Sequence, residues 1–289
     1  MLKGFRRVLP ALAGLCLALA ACGARPAVLP APVSPPMPAP GPVGPPKYSL
    51  YTPPSLPATG PVRLVVALHG VGGNGADFAK AFVPLVQAHG WLLAAPTFSY
   101  GNWHDPGTVR SEDVSLCRQL QALIDNVRGR MGRDLRPRVF VVGFSRGAQL
   151  ADRFALFDPQ QVAAVASLSA GTYTLPEAAA DVDGDGFADD LPLPFGTADM
   201  EDWLGHGLDR ETLRRVAFWV SVGAEDNNPN DLPRQWDPLL GKTRVARAQA
   251  FDQALQAMHI PVQLTIYPGA QHQLTAAMAD GVNRFLSAL

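Results

Sequence analysis

The sequence predicts one α/β domain with a mostly parallel central sheet and helices on both faces. Beyond residue 60, apolar runs of strand length alternate with segments whose apolar residues recur at helical spacing. Several of these runs are continuously apolar, which is typical of parallel strands that are buried on both faces. The third observation is the pattern G-x-S-x-G at 143–147, which joins one apolar run directly to one helical segment.

The first 46 residues do not follow this pattern. Residues 1–21 begin with three basic residues and continue as an apolar stretch, typical of a secretory signal and too short to span a membrane. Their end, Leu19-Ala20-Ala21 followed by Cys22, resembles the lipobox of bacterial lipoproteins. That resemblance implies a lipid on Cys22 and a protein held at the membrane, outside the cytoplasm, on the outer membrane or cell surface. An ordinary signal followed by a chance cysteine is the alternative.

Residues 22–46 form the next segment, with ten prolines between 26 and 46 and almost no charge. Such a stretch cannot build a core, so we expect an extended tether of up to roughly 75 Å, at about 3.1 Å per residue. A proline-rich ligand for a binding module is the alternative. The remaining residues, 47–289, are one domain's worth of sequence.

Charge and cysteine content narrow the class of protein. Without the three basic residues of the signal, 25 acidic residues face 21 basic ones, which gives a net charge of −4. That balance offers no basic field for nucleic acid, and we expect no nucleic-acid partner. Cys117 is the one cysteine outside the signal and lipobox, so it has no partner for an internal disulfide. Its place on an apolar helical stripe predicts a core residue.

The expected elements follow in order along the domain. An antiparallel edge strand is expected at 48–51, before the main alternation begins. The other strands are expected at 63–68, 91–96, 138–143, 162–168, 218–222 and 262–267. Helices are expected near 76–89, 111–130, 146–157, 243–258 and 275–288.

The pattern at 143–147 predicts a nucleophile elbow, a strained turn between a strand and a helix that presents a serine at the sheet edge. Glycines at 143 and 147 leave room where side chains would collide with the neighbouring strand and helix. The first N–H groups of the helix then lie beside the serine oxygen. We therefore predict that Ser145 is a nucleophile. A purely structural strand-to-helix turn is the alternative.

A nucleophilic serine needs a base and an acid that orients the base. The loop after the last expected strand carries His272, and the loop after the preceding strand carries Glu225 and Asp226. Both loops leave the same sheet edge as Ser145, and the order serine, acid, histidine is the one this architecture uses. We predict His272 as the base and Asp226 as the acid. Glu225 and, more distantly, Asp231 compete for the second role.

The oxyanion hole is expected to consist of backbone N–H groups. Arg146 follows the nucleophile and supplies one of them. The expected strand at 63–68 runs into a glycine-containing loop, where the N–H of Val71 is the predicted second donor and that of Gly72 the alternative. His69 in this loop is expected to support the turn rather than to take part in chemistry.

Together these motifs resemble the α/β-hydrolase superfamily, specifically esterases of the poly(3-hydroxybutyrate) depolymerase and feruloyl esterase type. The resemblance implies an α/β-hydrolase fold and an enzyme that cleaves carboxylic esters, such as hydroxyalkanoate or feruloyl-type esters, without a cofactor for catalysis. The matching residues are the opening 48–53, Leu68-His69-Gly70 with Asp77-Phe78, Asp113-Val114, the segment 143–147, Gly223 with Asp226, and Pro268-Gly269 with His272.

Two tryptophans are candidates for lining the acyl pocket. Trp103 lies in the segment 99–104, and Trp203 lies in an insertion expected at about 172–212. Either could instead be an ordinary packing aromatic.

The same insertion carries an acidic stretch at 181–190. Carboxylates at 181, 183 and 185 and the carbonyl of Phe187 repeat the ligand spacing of an EF-hand loop, but the twelfth position is Pro192 instead of glutamate. The stretch resembles the D-x-D-x-D-G-x-x-D-D loops of bacterial surface proteins. That resemblance implies a structural Ca²⁺, and a solvated acidic loop is the alternative. The implied ligands are Asp181, Asp183, Asp185, Phe187 and either Asp189 or Asp190.

The sequence therefore predicts a membrane-tethered serine esterase that acts on small-molecule or oligomeric esters through an acyl-enzyme. A peptidase or thioesterase on the same fold is one alternative, because a fold does not fix a substrate. A non-catalytic surface lipoprotein that uses the pocket for binding is another. Binding alone does not require a serine, an acid and a histidine in this order, which disfavours that alternative.

Overall fold

The structure of the protein is a computed structural model that describes residues 43–132 and 134–289. The predicted signal, Cys22 and most of the predicted tether therefore lie outside the described residues. Within the described ranges, none of the helices combines the length and the apolar character that crossing a membrane requires.

Nine strands are found in the part of the chain that the structure describes. They are β1 (Tyr48–Tyr51), β2 (Leu64–Leu68), β3 (Leu92–Pro96), β4 (Val139–Phe144), β5 (Val162–Leu168), β6 (Ala179–Ala180), β7 (Asp189–Asp190), β8 (Ala217–Gly223) and β9 (Val262–Tyr267). Seven of them form the central sheet in the order β1-β3-β2-β4-β5-β8-β9. β1 pairs antiparallel with β3, and the remaining pairs are parallel. The predicted mostly parallel sheet with an antiparallel edge is confirmed.

Nine α-helices accompany these strands within the described ranges. They are α1 (Gly75–Ala79), α2 (Val83–His89), α3 (Pro106–Met131), α4 (Arg146–Phe157), α5 (Met200–Leu204), α6 (Arg210–Leu213), α7 (Asp237–Leu240), α8 (Arg244–Ala257) and α9 (Ala276–Ser287). The main strands lie within one residue of their predicted ends, because all but the half-buried edge strand β9 are buried apolar runs. Between β5 and β8, the hairpin β6–β7 and helices α5 and α6 lie outside the central sheet.

Two helix predictions were wrong in detail, for local reasons. Helix α3 begins at Pro106 instead of near 111, because the Asp105 side chain accepts a hydrogen bond from the N–H of Thr108 and caps the helix. The helix expected over 76–89 is divided into α1, a 3₁₀ turn at Lys80–Phe82, and α2. Pro84 in the first turn of α2 has no N–H to donate to the preceding turn, so a continuous α-helix cannot pass through it.

The sheet is buried on both faces. Along β2, Leu64 and Leu68 belong to one apolar cluster with α3, α4 and α8, whereas Val65 and Ala67 belong to a second cluster with α1, α2 and α9. Cys117 of α3 is buried in the first cluster as a free thiol, as predicted. Because the core parallel strands all point the same way, the loops that follow β2, β4, β8 and β9 meet at one edge of the sheet.

Candidate active site

The turn between β4 and α4 holds Ser145 in a strained conformation. Its φ of 56° and ψ of −117° are rare for a residue with a side chain. The turn is fixed by the Ser145 N–H, which donates to the carbonyl of Leu168 at 2.8 Å. A Cβ at Gly147 would collide with the carbonyl oxygen of Leu68, and one at Gly143 with that of Gly147. The structure therefore has the nucleophile-elbow geometry that the sequence predicted, with the serine at the carboxyl end of β4.

A continuous hydrogen-bonded chain connects Ser145 to Asp226 through His272. His272 Nε2 lies 2.9 Å from the Ser145 Oγ, and its Nδ1 lies 2.7 Å from Oδ2 of Asp226. An ionised carboxylate only accepts hydrogen bonds, so Nδ1 carries the proton and Nε2 is free to accept from the serine hydroxyl. Asp226 is 0% exposed, whereas its competitor Glu225 is on the surface. The structure thus places Asp226, and not Glu225, against the histidine.

The second oxygen of Asp226 is held by Arg244, a residue that the sequence reasoning missed. Arg244 Nη1 lies 2.6 Å from Asp226 Oδ1, and both side chains are buried. Arg244 is the first residue of α8, where the positive end of the helix dipole disfavours a cation. An arginine at the start of a predicted helix is therefore unusual, and this position is the sequence signal that could have indicated a special role for Arg244.

The predicted oxyanion donors border the same pocket as Ser145. The N–H of Arg146 belongs to the first turn of α4 and has no acceptor within the helix. Val71, which is 44% exposed, and Gly70 also line this pocket. The role of the Val71 N–H, with Gly72 as the alternative, stays a prediction.

His69 supports the loop that carries Val71, as the sequence predicted. Its Nε2 accepts a hydrogen bond from the N–H of Phe98 at 3.0 Å, so Nδ1 carries the proton and donates to the carbonyl of Gly70 at 2.7 Å. The ring is buried. His69 therefore ties the loop to the segment after β3 and lies outside the hydrogen-bonded chain of Ser145.

The side chain of Arg146 anchors the first turn of α4 to α3. Its guanidinium contacts Asp113 at 2.5 and 3.1 Å and Glu112 at 2.8 Å. Arg153, about two turns further along α4, also contacts Asp113, at 2.7 Å. Burial is the largest single effect on the pKa of Arg146 and lowers it, but the neighbouring acidic groups, Asp113 first and then Glu112, together outweigh burial and raise the pKa. The ion pairs hold the helix start, and with it the predicted oxyanion donor, in a fixed position.

One pocket of about 250 Å³ opens onto the serine. Trp103 borders it, as predicted. The structure does not place Trp203 there: its ring packs under the guanidinium of Arg110 at 4.3 Å, and its indole N–H donates to Asp199. Trp203 therefore does not line this pocket and is instead the packing aromatic given as the alternative, because its helix packs against α3. The wall consists of Gly70, Val71, Trp103, Phe144, Ser145, Arg146, Gln149, Asp231, Arg244 and His272.

The acidic loop brings three carboxylates together. Asp181, Asp183 and Asp185 are exposed, and one oxygen of each lies within 4.8 Å of the others. Asp189 and Asp190 are not part of this group, since they form strand β7 and pair with β6. The structure therefore does not bring the additional carboxylate ligand expected from Asp189 or Asp190 into this group. Calcium binding at this loop, with the carbonyl of Phe187, stays a prediction.

The sheet order and the elbow define the class of protein: an α/β-hydrolase fold in which a serine, a histidine and an aspartate are already hydrogen-bonded in series. No family model matches the sequence. A segment of 132 residues is 30% identical to poly(3-hydroxyalkanoate) depolymerase C from Paucimonas lemoignei and covers 43% of this chain. The match spans 31% of that depolymerase, less than a third of its length.

Solved structures resemble the whole domain. Poly(aspartic acid) hydrolase-1 from Sphingomonas sp. KT-1 matches with a TM-score of 0.62 at 19% identity, over 83% of this chain and 92% of its own. The poly(3-hydroxybutyrate) depolymerase LpqC from Bordetella parapertussis matches with a TM-score of 0.60 at 24% identity, over 83% of this chain and 82% of its own. These likenesses confirm the predicted fold.

Proposed function

We propose that the protein is a serine hydrolase that cleaves carboxylic esters through an acyl-enzyme. The observation that carries this proposal is the chain of two hydrogen bonds from Ser145 through His272 to the buried Asp226, with the serine on a strained elbow. A structural turn has no need for a histidine placed to accept the serine proton. The strain is stored at the residue that would react.

The chemistry follows from the positions of these groups. His272 Nε2 takes the hydroxyl proton as the Ser145 oxygen attacks the ester carbonyl, and Asp226 stabilises the imidazolium that forms. The N–H groups of Arg146 and Val71 hold the negative oxygen of the tetrahedral intermediate. The same proton then passes to the leaving alcohol, which leaves an acyl-serine. Water attacks that acyl group with His272 again as the base, and the acid departs as the serine regains its proton.

The acyl group that we propose is short and of the hydroxyalkanoate type, with feruloyl-type esters as the second candidate. Similarity to a poly(3-hydroxyalkanoate) depolymerase and to a poly(3-hydroxybutyrate) depolymerase supports the first class. The pocket of about 250 Å³ is smaller than the about 300–1,000 Å³ of sites for drug-sized ligands. A small-molecule or oligomeric ester that inserts one short acyl unit fits these dimensions.

A fluorophosphonate probe tests the proposed nucleophile. The wild-type protein is expected to be labelled and to hydrolyse p-nitrophenyl esters, and Ser145→Ala to lose labelling and on the order of 10⁶ in kcat. Ser111→Ala, an exposed serine on α3, is the matched control and is expected to behave as wild type. Esterase activity in Ser145→Ala above about a tenth of wild type would overturn the proposal.

We also propose that a lipid on Cys22 holds the domain at the membrane outside the cytoplasm. The support is the lipobox-like sequence 19–22 and the proline-rich stretch that follows. A single acyl chain binds a membrane only marginally and two or more bind stably, so a diacylglyceryl group would suffice. Mass spectrometry of the membrane fraction is expected to find a lipidated Cys22, and Cys22→Ser to release the protein. Unmodified wild-type protein in the medium would contradict this.

A further inference from the structure

Among the polar side chains of the pocket wall that are not part of the series Ser145, His272 and Asp226, two are close together. Gln149 lies in the first turn of α4, and Arg244 opens α8. They are only 4% and 3% exposed, and both border the pocket. Buried amide and guanidinium groups are costly to desolvate unless they are hydrogen-bonded. Any hydrogen-bonding atom of these two side chains that has no protein partner is therefore available to a group bound in the pocket.

The Gln149 amide lies with its oxygen towards the Thr172 hydroxyl. Arg153 Nη2 donates to the hydroxyl oxygen of Thr172 at 3.0 Å, and an arginine can only donate. The Thr172 hydrogen is then available to donate to the second partner of its oxygen, Oε1 of Gln149, at 3.0 Å. The oxygen side of the amide is thus occupied. Its Nε2 has no acceptor among the described residues and is left to donate.

Arg244 presents a second donor to the same place. Its Nη1 is bound to Asp226, whereas its Nη2 lies 3.5 Å from the carbonyl of Asp231, a long contact. Gly171 lies beside both donors: a Cβ there would lie 3.1 Å from Gln149 Nε2, 3.6 Å from Leu232 Cδ2 and 3.8 Å from Arg244 Nη2. The two donor groups therefore lie close to the same point of the backbone, and a methyl group at Gly171 would contact both.

The charges around this position favour a neutral acceptor. The two cations of the pocket wall are already paired with carboxylates, Arg244 with Asp226 and Arg146 with Asp113 and Glu112. A further carboxylate, Asp231, borders the pocket. A negatively charged substrate group would meet an excess of negative charge, whereas a hydroxyl, ketone or ester carbonyl oxygen would meet two donors without repulsion.

We propose that Gln149 Nε2 and Arg244 Nη2 select acyl groups that carry a neutral acceptor oxygen beyond the scissile carbonyl, and that they are specificity-determining residues. This inference rests on the proposed esterase function. A site that donates hydrogen bonds rejects the analogue that lacks the acceptor, because its buried donors are then unsatisfied. For two neutral-acceptor contacts we expect a preference of about 10–100-fold in kcat/KM.

Matched esters test the proposal on the full-length protein. Ethyl 3-hydroxybutyrate and ethyl 4-oxopentanoate carry the acceptor, ethyl butyrate and ethyl pentanoate do not, and monoethyl succinate carries a carboxylate. The wild-type protein is expected to prefer the first two over the hydrocarbon esters by about 10–100-fold, and over the succinate as well.

Three variants ask whether the named donors produce that preference. Gln149→Leu removes the amide, and Gly171→Ala adds a methyl group that would displace the amide and contact the guanidinium without changing a polar group. Both are expected to bring the preference close to one. Gln256→Leu, an exposed glutamine on α8, is the matched control and is expected to keep it. Fluorophosphonate labelling of Ser145 in each variant shows that the protein is folded and the serine reactive.

The outcomes separate this inference from the proposed function. Failure to hydrolyse any ester, with no labelling of Ser145, would remove the esterase proposal itself. Labelling and hydrolysis without a preference in the wild-type protein would overturn the inference alone, as would a preference that survives in both Gln149→Leu and Gly171→Ala. A preference for monoethyl succinate would show that the donors bind a carboxylate, which contradicts the proposed selection of a neutral acceptor oxygen.

Discussion

Arg244 and Asp226 form a buried ion pair at the base of the candidate active site, with 2.6 Å between Nη1 and Oδ1. Asp226 thus has two partners, because its other oxygen accepts from His272. The pair fixes the carboxylate so that its other oxygen, Oδ2, faces Nδ1 of the imidazole. It also makes Asp226 costly to replace, because a lone buried guanidinium is left behind.

The first prediction concerns the identity of the acid. Asp226→Asn is expected to lower kcat by roughly 10⁴, because the amide favours the wrong histidine tautomer, and to lower the melting temperature, because Arg244 loses its counter-charge. Glu225→Gln is the matched control, and it is expected to change both quantities little, since Glu225 is exposed. Steady-state kinetics and thermal melting measure the two effects, and the reverse ranking would transfer the role to Glu225.

The second prediction concerns the ion pairs that hold the start of α4. Asp113→Asn leaves the buried guanidiniums of Arg146 and Arg153 without their shared carboxylate, so we expect a loss of about 3–5 kcal/mol in the free energy of unfolding. Asp125→Asn is the control on the same helix, where the carboxylate is exposed in its pair with Arg128, and we expect a change within about 1 kcal/mol. Urea unfolding measures both, and equal losses would contradict a special role for Asp113.

The third prediction concerns pH. Burial raises the pKa of Asp152 from 3.8 to about 8, against a smaller opposing effect of the hydrogen bond from Ser167. A raised acid pKa means that the folded state binds the proton more tightly than the unfolded state. The resulting stabilisation is complete below pH 3.8 and is lost as the pH rises towards about 8.

Asp152→Asn removes this titration, because asparagine has no proton to lose. The wild-type free energy of unfolding is therefore expected to fall relative to that of Asp152→Asn between about pH 4 and pH 8. Urea unfolding at several pH values provides the comparison. Parallel curves for the two proteins over this interval would show that Asp152 does not titrate there.

The fourth prediction concerns calcium at the acidic loop. If the loop binds with a dissociation constant near 10⁻³ M, about 5 mM CaCl₂ is expected to stabilise the protein by about 1 kcal/mol and to raise the melting temperature by about 2–4 °C over that in EDTA. The double variant Asp183→Asn/Asp185→Asn is expected to lose this shift. Because Asp189 and Asp190 lie in β7, Asp189→Asn/Asp190→Asn serves as the control and is expected to keep it. No shift in the wild-type protein would leave a solvated acidic loop.

Local sequence information was sufficient for the scaffold. The inner strands of the central sheet could be predicted because each is a run of apolar residues whose burial does not depend on its exact partner. The elbow could be predicted because its glycines and serine lie within five residues of the chain. His272 could be predicted because a loop after a parallel strand must leave the sheet at the same edge as the elbow. Two helix starts were predicted less well because each depends on a single residue. Asp105 caps α3 and starts it earlier than expected, and Pro84 separates α2 from the preceding turn.

The tertiary structure alone decided which side chains meet. Ser145 and His272 are 127 residues apart in sequence, and no local pattern states that their atoms come within 2.9 Å. The burial of Arg244 beside Asp226 and the removal of Trp203 from the pocket depend on how α8 and α5 dock on the domain. Side-chain pairing at a site depends on the packing of elements distant in sequence, whereas a strand or a turn depends on its own residues. For that reason the sequence determined the fold and the elbow, and the pocket wall was decided by the tertiary structure.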